Sequence, residues 1–253
     1  MRVQLEPAYV LHRRPYRETS LLLEALTRGH GRVGLVARGA RGPRSAWRGL
    51  LEPFCPLTLS WVGRGELMTL SGAEATGCSP LQGRGLLAGL YVNELLVRLV
   101  PRNDPHPGLY EAYRVTLEAL AAELTQEQTL RWFEGRLLEA LGYGLALGEC
   151  DDAGVPIDPA RVYRYRIEEG TVQAGEGEGF PVRGATLLGL TREGLADPQA
   201  AREVKQLMRY VLQHYLGERP LASRALFQRP AAGVGTRGLV SRSDDEGGEL
   251  GHR

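Results

Sequence analysis

"VQLEPAYVLH" (residues 3–12) alternates apolar and polar positions in the way expected of a half-buried β-strand. One face of this strand carries Val3, Leu5, Tyr9 and Leu11. Four further short apolar runs follow, bounded by Gly and Pro: "SLLLEALT" (20–27), "RVGLVARG" (32–39), "PLTLSWVG" (56–63) and "ELMTLSGAEA" (66–75). Five short strands predict a small closed barrel of the OB-fold type over residues 1–80, and an SH3-like barrel fits the pattern nearly as well.

Beyond Pro80 the apolar period changes from two to about 3.6, which predicts a mainly α-helical domain over residues 81–230. The predicted helices are "LLAGLYVNELLVRLV" (86–100), "TLRWFEGRLLEALGYG" (129–144) and one within "ADPQAAREVKQLMRYVLQHYLGERP" (196–220). Residues 148–184 are rich in glycine and charge and predict a small β insert. Residues 231–253 lack periodic apolar positions, which predicts a disordered tail. The predicted fold class is therefore α+β.

Charge is distributed unevenly along the chain, although the formal net charge is only +1. Residues 1–80 contain eleven arginines and six glutamates, a net of +5, which leaves −4 for the remainder. No acidic residue occurs from Ala25 to Leu51, a stretch that includes Arg28, Arg32, Arg38, Arg41, Arg44 and Arg48. Guanidinium groups without acidic neighbours repel one another unless an anion is present, and a phosphate backbone supplies one repeatedly.

Aromatic side chains accompany these arginines, and a charged groove with aromatic platforms is typical of single-strand binding. Trp47 lies within the basic stretch and is the preferred stacking candidate. The other candidates are Tyr9, Tyr16, Phe54 and Trp61, of which Phe54 and Trp61 are more simply interpreted as core. This pattern predicts a nucleic-acid-binding protein and leaves a DNA-binding and an RNA-binding or ribosome-associated OB protein both open.

Other classes of function find less support in the sequence. The loop "GECDDAGVPID" (148–158) places Glu149, Asp151 and Asp152 together, a cluster compatible with a metal-dependent hydrolase, but a solvated turn is the simpler interpretation and the EF-hand spacing is absent. No Ser or Cys has a recognisable nucleophile setting, and the glycine pairs lack the spacing of a nucleotide-binding loop. The sequence predicts no enzyme and no cofactor, and a scaffold whose helical domain binds proteins remains an alternative.

The cysteines and the apolar runs bear on the compartment. Cys55, Cys78 and Cys150 show no paired spacing, which predicts neither a disulfide framework nor a metal knuckle and favours a reducing environment. The most apolar run (86–100) is interrupted by Asn93, Glu94 and Arg98. The expectation is a cytoplasmic protein without a membrane span.

Several segments together resemble the bacterial RecO family of recombination mediators. The opening segment "AYVLHRRPYRETSLLLEALTRGHGRVGLVARGARGPRS" and "LEPFCPLTLSWVGRGELMTLSGAE" after it look like that family, as do "GLYVNELLVRLVPRNDPHPGLY", "LRWFEGRLLEALGYGLALGEC", "VYRYRIEEG" and "YLGERPLASRALF". The similarity covers roughly residues 7–228. It implies an OB-fold followed by a helical domain, binding to single- and double-stranded DNA, and annealing of complementary strands.

The resemblance also implies partners and a place of action. The partners are RecR and the acidic C-terminal tail of the single-stranded DNA-binding protein, with loading of RecA as the outcome. The family is not enzymatic, and its work on DNA implies a cytoplasmic, nucleoid-associated protein. Some members carry four cysteines that form a zinc module in the insert, whereas this chain has only Cys150 there, so no metal is expected.

The resemblance assigns site residues as well. Arg38, Arg41, Arg44 and Arg48 correspond to the family's basic DNA-contacting loop. With charge and aromatic content added, the predicted DNA-binding set is Arg32, Arg38, Arg41, Arg44, Trp47, Arg48 and Arg64. In "LRWFE", Arg131 matches a family arginine near the pocket for the acidic tail, and Phe133 and Leu137 are the expected apolar flank.

Overall fold

The computed structural model describes residues 1–47, 49–77, 80–173, 177–191 and 198–228. The N-terminal part consists of five strands, β1 (Arg2–Tyr16), β2 (Ser20–Thr27), β3 (Gly31–Ala37), β4 (Pro56–Val62) and β5 (Met68–Ala75). Three helices follow, α1 (Gly83–Leu99), α2 (Pro107–Ala121) and α3 (Gln126–Ala140). The remaining elements are β6 (Val162–Arg166), β7 (Gly170–Gln173), β8 (Phe180–Arg183), α4 (Gly184–Thr191), α5 (Pro198–Leu216) and α6 (Ala222–Gln228). The predicted tail, 231–253, lies outside the described residues.

The five N-terminal strands close into a barrel in the order β1-β2-β3-β5-β4, with β4 pairing back onto β1. All pairings are antiparallel except that of β3 with β5, where Leu35 faces Met68. This order with one parallel closure is the topology of an OB-fold, so the predicted barrel is confirmed. Trp61 is fully buried inside it, as the core interpretation of that residue requires.

The central part of strand β1 is buried on both faces. Its apolar side chains therefore do not alternate with solvent-facing ones, as the sequence pattern predicted. Ala8 and Val10 point into the barrel core, whereas Tyr9 and Leu11 pack into the core of the helical domain. Leu5 is 58% exposed at an irregular point of the pairing with β4, where its φ is +50°. Tyr9 is consequently a core residue and no stacking platform.

The helices begin and end largely where the sequence signals lie. Helix α3 is followed by Gly142 in a left-handed conformation (φ +78°), and α5 by Gly217 (φ +70°), both of which side-chain-bearing residues adopt only at a cost. Pro198 is the first residue of α5, where its missing N–H is harmless. Helix α2 is not among the helices predicted above.

The insert forms a small three-stranded sheet in the order β7-β6-β8, on which Tyr163 and Tyr165 are buried. In the acidic loop before it, the Asp151 carboxylate accepts hydrogen bonds from the backbone N–H groups of Ala153 (3.0 Å) and Val155 (2.9 Å), a turn-stabilising role. No group of three His, Cys, Asp or Glu side chains among the described residues could hold a metal ion.

One cysteine expectation is wrong. Cys150 is free, but Cys55, immediately before β4, is disulfide-bonded. This bond could not be predicted from the spacing of the cysteines, because a disulfide depends on proximity in space.

Polar contacts fix the barrel onto the helices. The Asn93 amide on α1 donates to the carbonyl oxygen of Leu11 (2.7 Å) and accepts from the hydroxyl of Tyr113 on α2 (2.7 Å). A second tie, named here the junction cluster, consists of Glu24, Arg32, Glu66 and Arg102. Glu24 on β2 binds both Arg32 on β3 (2.5 Å) and Arg102, which follows α1, so a barrel carboxylate is shared by both halves.

Candidate nucleic-acid interface

The basic segment after β3 docks on the turn between β1 and β2. The backbone N–H of Arg41 donates to the carbonyl oxygen of Thr19 (2.8 Å), and its guanidinium donates to that of Glu18 (3.2 Å). These bonds join two segments that are more than twenty residues apart in sequence. The arrangement brings cations from both onto one end of the barrel.

We call this end the turn–loop surface and define it by Arg17, Arg38, Arg41 and Arg44. All four side chains belong to exposed residues. Arg38 and Arg44 have no carboxylate partner within the described part of the chain. Arg17 lies over the ring of Tyr16, with its guanidinium carbon 5.3 Å from the ring centroid. A surface of this kind can bind phosphate groups and leave one aromatic ring close to the bases.

Arg17 is absent from the sequence-predicted set, and only folding brings it next to Arg41. The signal that could have found it is "RRPYR" (13–17), a basic and aromatic cluster directly before a turn. Arg14 in the same cluster is exposed at the end of β1, while Arg13 is paired with Glu52 (2.6 Å). The interface therefore has a larger cationic neighbourhood than the basic loop alone.

Trp47 has a structural task that its position in the basic stretch did not reveal. Its ring is partly buried against the barrel core, and its indole N–H donates to the carbonyl oxygen of Arg38 (3.2 Å). Trp47 thereby closes the loop back onto the barrel, and much of its ring is unavailable for stacking. Tyr16, half-buried beneath Arg17, is the aromatic side chain that lies on the turn–loop surface.

Arg32 does not lie with the exposed arginines. Its side chain is only 14% exposed, bound to Glu24 and, through Nε, to the carbonyl oxygen of Val100 (2.8 Å). Arg64 is exposed in the turn between β4 and β5, whose Glu66 binds Arg102 (2.9 Å). Arg32 is thus bound within the junction cluster, and Arg64 belongs to a different turn from the two segments that define the turn–loop surface. Arg48 is outside the described residues.

The residues predicted for tail binding lie on α3 with different exposures. Arg131 is 17% exposed and bound to Glu134 (2.6 Å). Phe133 and Leu137 are both fully buried in the core of the helical domain. The expectation that these two flank an open pocket is wrong, because their spacing of four residues places both on the face of α3 that packs against other helices.

An open groove lined by both apolar and charged side chains lies on the neighbouring face of α3, between α3 and α2, with a volume of about 610 Å³. Val115 (40% exposed) and Trp132 (42% exposed) line it. The guanidinium carbon of Arg136 lies 5.8 Å from the Trp132 ring centroid. Sequence reasoning missed this groove, although Trp132, which directly precedes the core residue Phe133 and so lies off the buried face of an amphipathic helix, was a visible signal.

A closed barrel of OB topology with an arginine-rich end, tied to a helical domain, defines an oligonucleotide-binding-fold protein with an appended helical domain. The chain belongs to the RecO family of DNA repair proteins. The family model described as Recombination protein O N terminal matches residues 1–78, and the one described as Recombination protein O C terminal matches residues 81–225.

Relatives agree over nearly the whole length. The DNA repair protein RecO of Nitrosococcus oceani is 48% identical over 248 residues, which cover 97% of this chain and 99% of that protein. That of Alkalilimnicola ehrlichii is 52% identical over 236 residues, 91% of this chain and 93% of its own. That of Methylococcus capsulatus is 50% identical over 228 residues, 90% and 94% respectively. None of the described helices combines the length and apolar character that a bilayer-spanning helix needs.

Proposed function

We propose that this protein binds single- and double-stranded DNA through the turn–loop surface and anneals complementary strands coated by the single-stranded DNA-binding protein. With RecR, it promotes loading of RecA at the DNA of the nucleoid. The observation that carries the DNA-binding part is the exposure of Arg38 and Arg44 without carboxylate partners in the described chain, beside Arg17 and Arg41. Family membership supports the repair context.

Annealing follows from charge neutralisation. Two DNA strands repel each other through their phosphates, and a protein that covers the backbone of one strand while leaving its base edges free lowers this barrier for the second. Guanidinium contacts to phosphate carry no base information, so sequence preference is weak. The turn–loop surface requires no cofactor and no covalent step for this role.

The salt dependence of binding tests this mechanism. If the four arginines of the turn–loop surface each neutralise one phosphate, a plot of log affinity against log salt has a slope of about −3 for a single strand. Affinity is then expected to fall about fifty-fold between 50 and 200 mM salt, measured by fluorescence anisotropy of a labelled oligonucleotide. A slope near zero would contradict it, and a strong preference for RNA in competition would favour an RNA-binding protein instead.

The partner's acidic tail is proposed to bind across α3. Arg131 supplies a guanidinium for a carboxylate, and the groove between α2 and α3, with Val115 and Trp132, receives apolar side chains. This assignment replaces the buried Phe133 and Leu137 with an accessible surface.

Arg131→Ala is expected to weaken binding of the tail peptide about tenfold, since a charge-assisted hydrogen bond is lost, and to leave affinity for naked DNA unchanged. Titration of labelled peptide and labelled DNA with the same protein preparation measures both. Equal losses for peptide and DNA would refute this division between α3 and the barrel.

A further inference from the structure

Arg131 is not a freely moving surface charge. Its Nη2 donates to Oε1 of Glu134 at 2.6 Å, and the hydroxyl of Tyr91 on α1 donates to the same oxygen at 2.7 Å. The Glu134 side chain is fully buried, so its carboxylate has one fixed position. An arginine side chain has many rotamers in solution, and this contact selects one of them.

The groups around the Glu134 carboxylate offset part of the cost of burying it. Burial raises the pKa of Glu134, and Arg131, the Tyr91 hydroxyl, Arg224 and Lys205 each act to lower it. Burial and the carboxylate also raise the pKa of Tyr91, so its hydroxyl stays protonated and remains a donor. Lys205 on α5 in turn binds Glu127 at the start of α3 (2.8 Å). Arg131 thus sits at a cationic edge where α3, α5 and α6 meet.

Two atoms of the pair remain without a hydrogen-bond partner among the described residues, Nε of Arg131 and Oε2 of Glu134. Both atoms are buried, so a ligand carboxylate would meet the accessible part of the Arg131 side chain, of which 17% is exposed. The contact with Glu134 therefore fixes one edge of the guanidinium, while part of the Arg131 side chain remains open to a ligand.

We propose that Tyr91 and Glu134 are positioning residues, which hold the Arg131 guanidinium in the orientation that receives the terminal carboxylate of an acidic peptide. This inference rests on the proposed tail-binding role of α3. It adds that the specificity for a free carboxylate over an uncharged end depends on two buried side chains that never touch the peptide.

The probe is a pair of fluorescein-labelled peptides, acidic and ending in an apolar residue, one with a free C-terminal carboxylate and the other with a C-terminal amide. Wild type is expected to prefer the carboxylate peptide about tenfold, as for a hydrogen bond between charged groups. Arg131→Ala is expected to abolish that preference. The variants Tyr91→Phe and Glu134→Asp, which leave the net charge unchanged, are expected to reduce it at least threefold, about the effect of a displaced hydrogen bond.

The preference ratio separates positioning from stability, because a variant that is merely less stable binds both peptides less well by the same factor. Circular dichroism checks that Tyr91→Phe, the milder change, remains folded. If Arg131→Ala loses the preference while Tyr91→Phe and Glu134→Asp keep it, the positioning role is overturned and the tail site stands. If wild type shows no preference or binds neither peptide, both are overturned.

Discussion

The double variant Arg38→Glu/Arg44→Glu is expected to bind a single-stranded oligonucleotide about sixty-fold more weakly than wild type at 50 mM salt, since two phosphate contacts are lost. The slope of log affinity against log salt is expected to fall from about −3 to about −1.5. Both side chains belong to exposed residues, and the backbone carbonyl of Arg38 that holds Trp47 is retained in the variant, so the loop should keep its conformation.

A matched control carries the same change in net charge elsewhere. Arg209→Glu/Arg219→Glu reverses two exposed arginines of the helical domain and should alter DNA affinity little. The same proteins are then compared in annealing of two complementary oligonucleotides precoated with the cognate single-stranded DNA-binding protein. Loss of annealing in the Arg38/Arg44 variant alone supports the turn–loop surface, whereas equal losses in both variants would show that only overall charge matters.

Glu24→Ala is expected to lower the free energy of unfolding by about 3 kcal/mol, the lower end of what removal of one partner from a buried ion pair costs. The Glu24 side chain is 11% exposed and binds two guanidinium groups, of Arg32 and Arg102, which are themselves mostly buried. Its removal leaves those charges in a poorly solvated place. Urea unfolding followed by circular dichroism measures the change.

Glu66→Ala is the control, because Glu66 binds the same Arg102 but its side chain is 79% exposed. Exposed ion pairs contribute little, so a loss below about 0.5 kcal/mol is expected. If the two variants lose similar free energy of unfolding, burial of the junction cluster does not explain the contribution of Glu24 to stability. DNA affinity is measured for each variant that remains folded, and it should change in neither. An unchanged affinity would also indicate that Arg32, which Glu24 binds, is not part of the DNA-binding surface.

Much of the fold could be predicted from periodicity. The alternating runs and their Gly and Pro boundaries correspond to all five barrel strands, and the 3.6-residue pattern to α1, α3 and α5. Helix α2 carried a readable stripe, with Leu109, Tyr113 and Leu117 at spacings of four after Pro107, yet it was not predicted. The burial of β1 on both faces could not be predicted from the sequence pattern, because a strand between two cores does not follow the simple alternation of a half-buried strand.

The site was less predictable than the fold, because charge along a sequence does not show which charges are paired. Arg32 and Arg44 look alike in the acid-free stretch, but the carboxylate that binds Arg32 belongs to Glu24, one residue before that stretch begins. Arg102, the other guanidinium that Glu24 binds, lies 70 positions after Arg32 in the chain. Phe133 and Leu137 differ for another reason: the family resemblance suggested them as the flank of a pocket, whereas their spacing is that of a buried helix face.

The two-sided strand β1 has a consequence for how the chain can be divided. Tyr9, Leu11 and Leu26 complete the helical core, while Ala8 and its neighbours complete the barrel core, so neither half has a finished exterior by itself. If the chain were cleaved between β5 and α1 and the two parts separated, Tyr9, Leu11 and Leu26 would be exposed on one fragment and the helix residues that pack against them on the other. Neither half could therefore be exchanged as a separate module without redesign of β1.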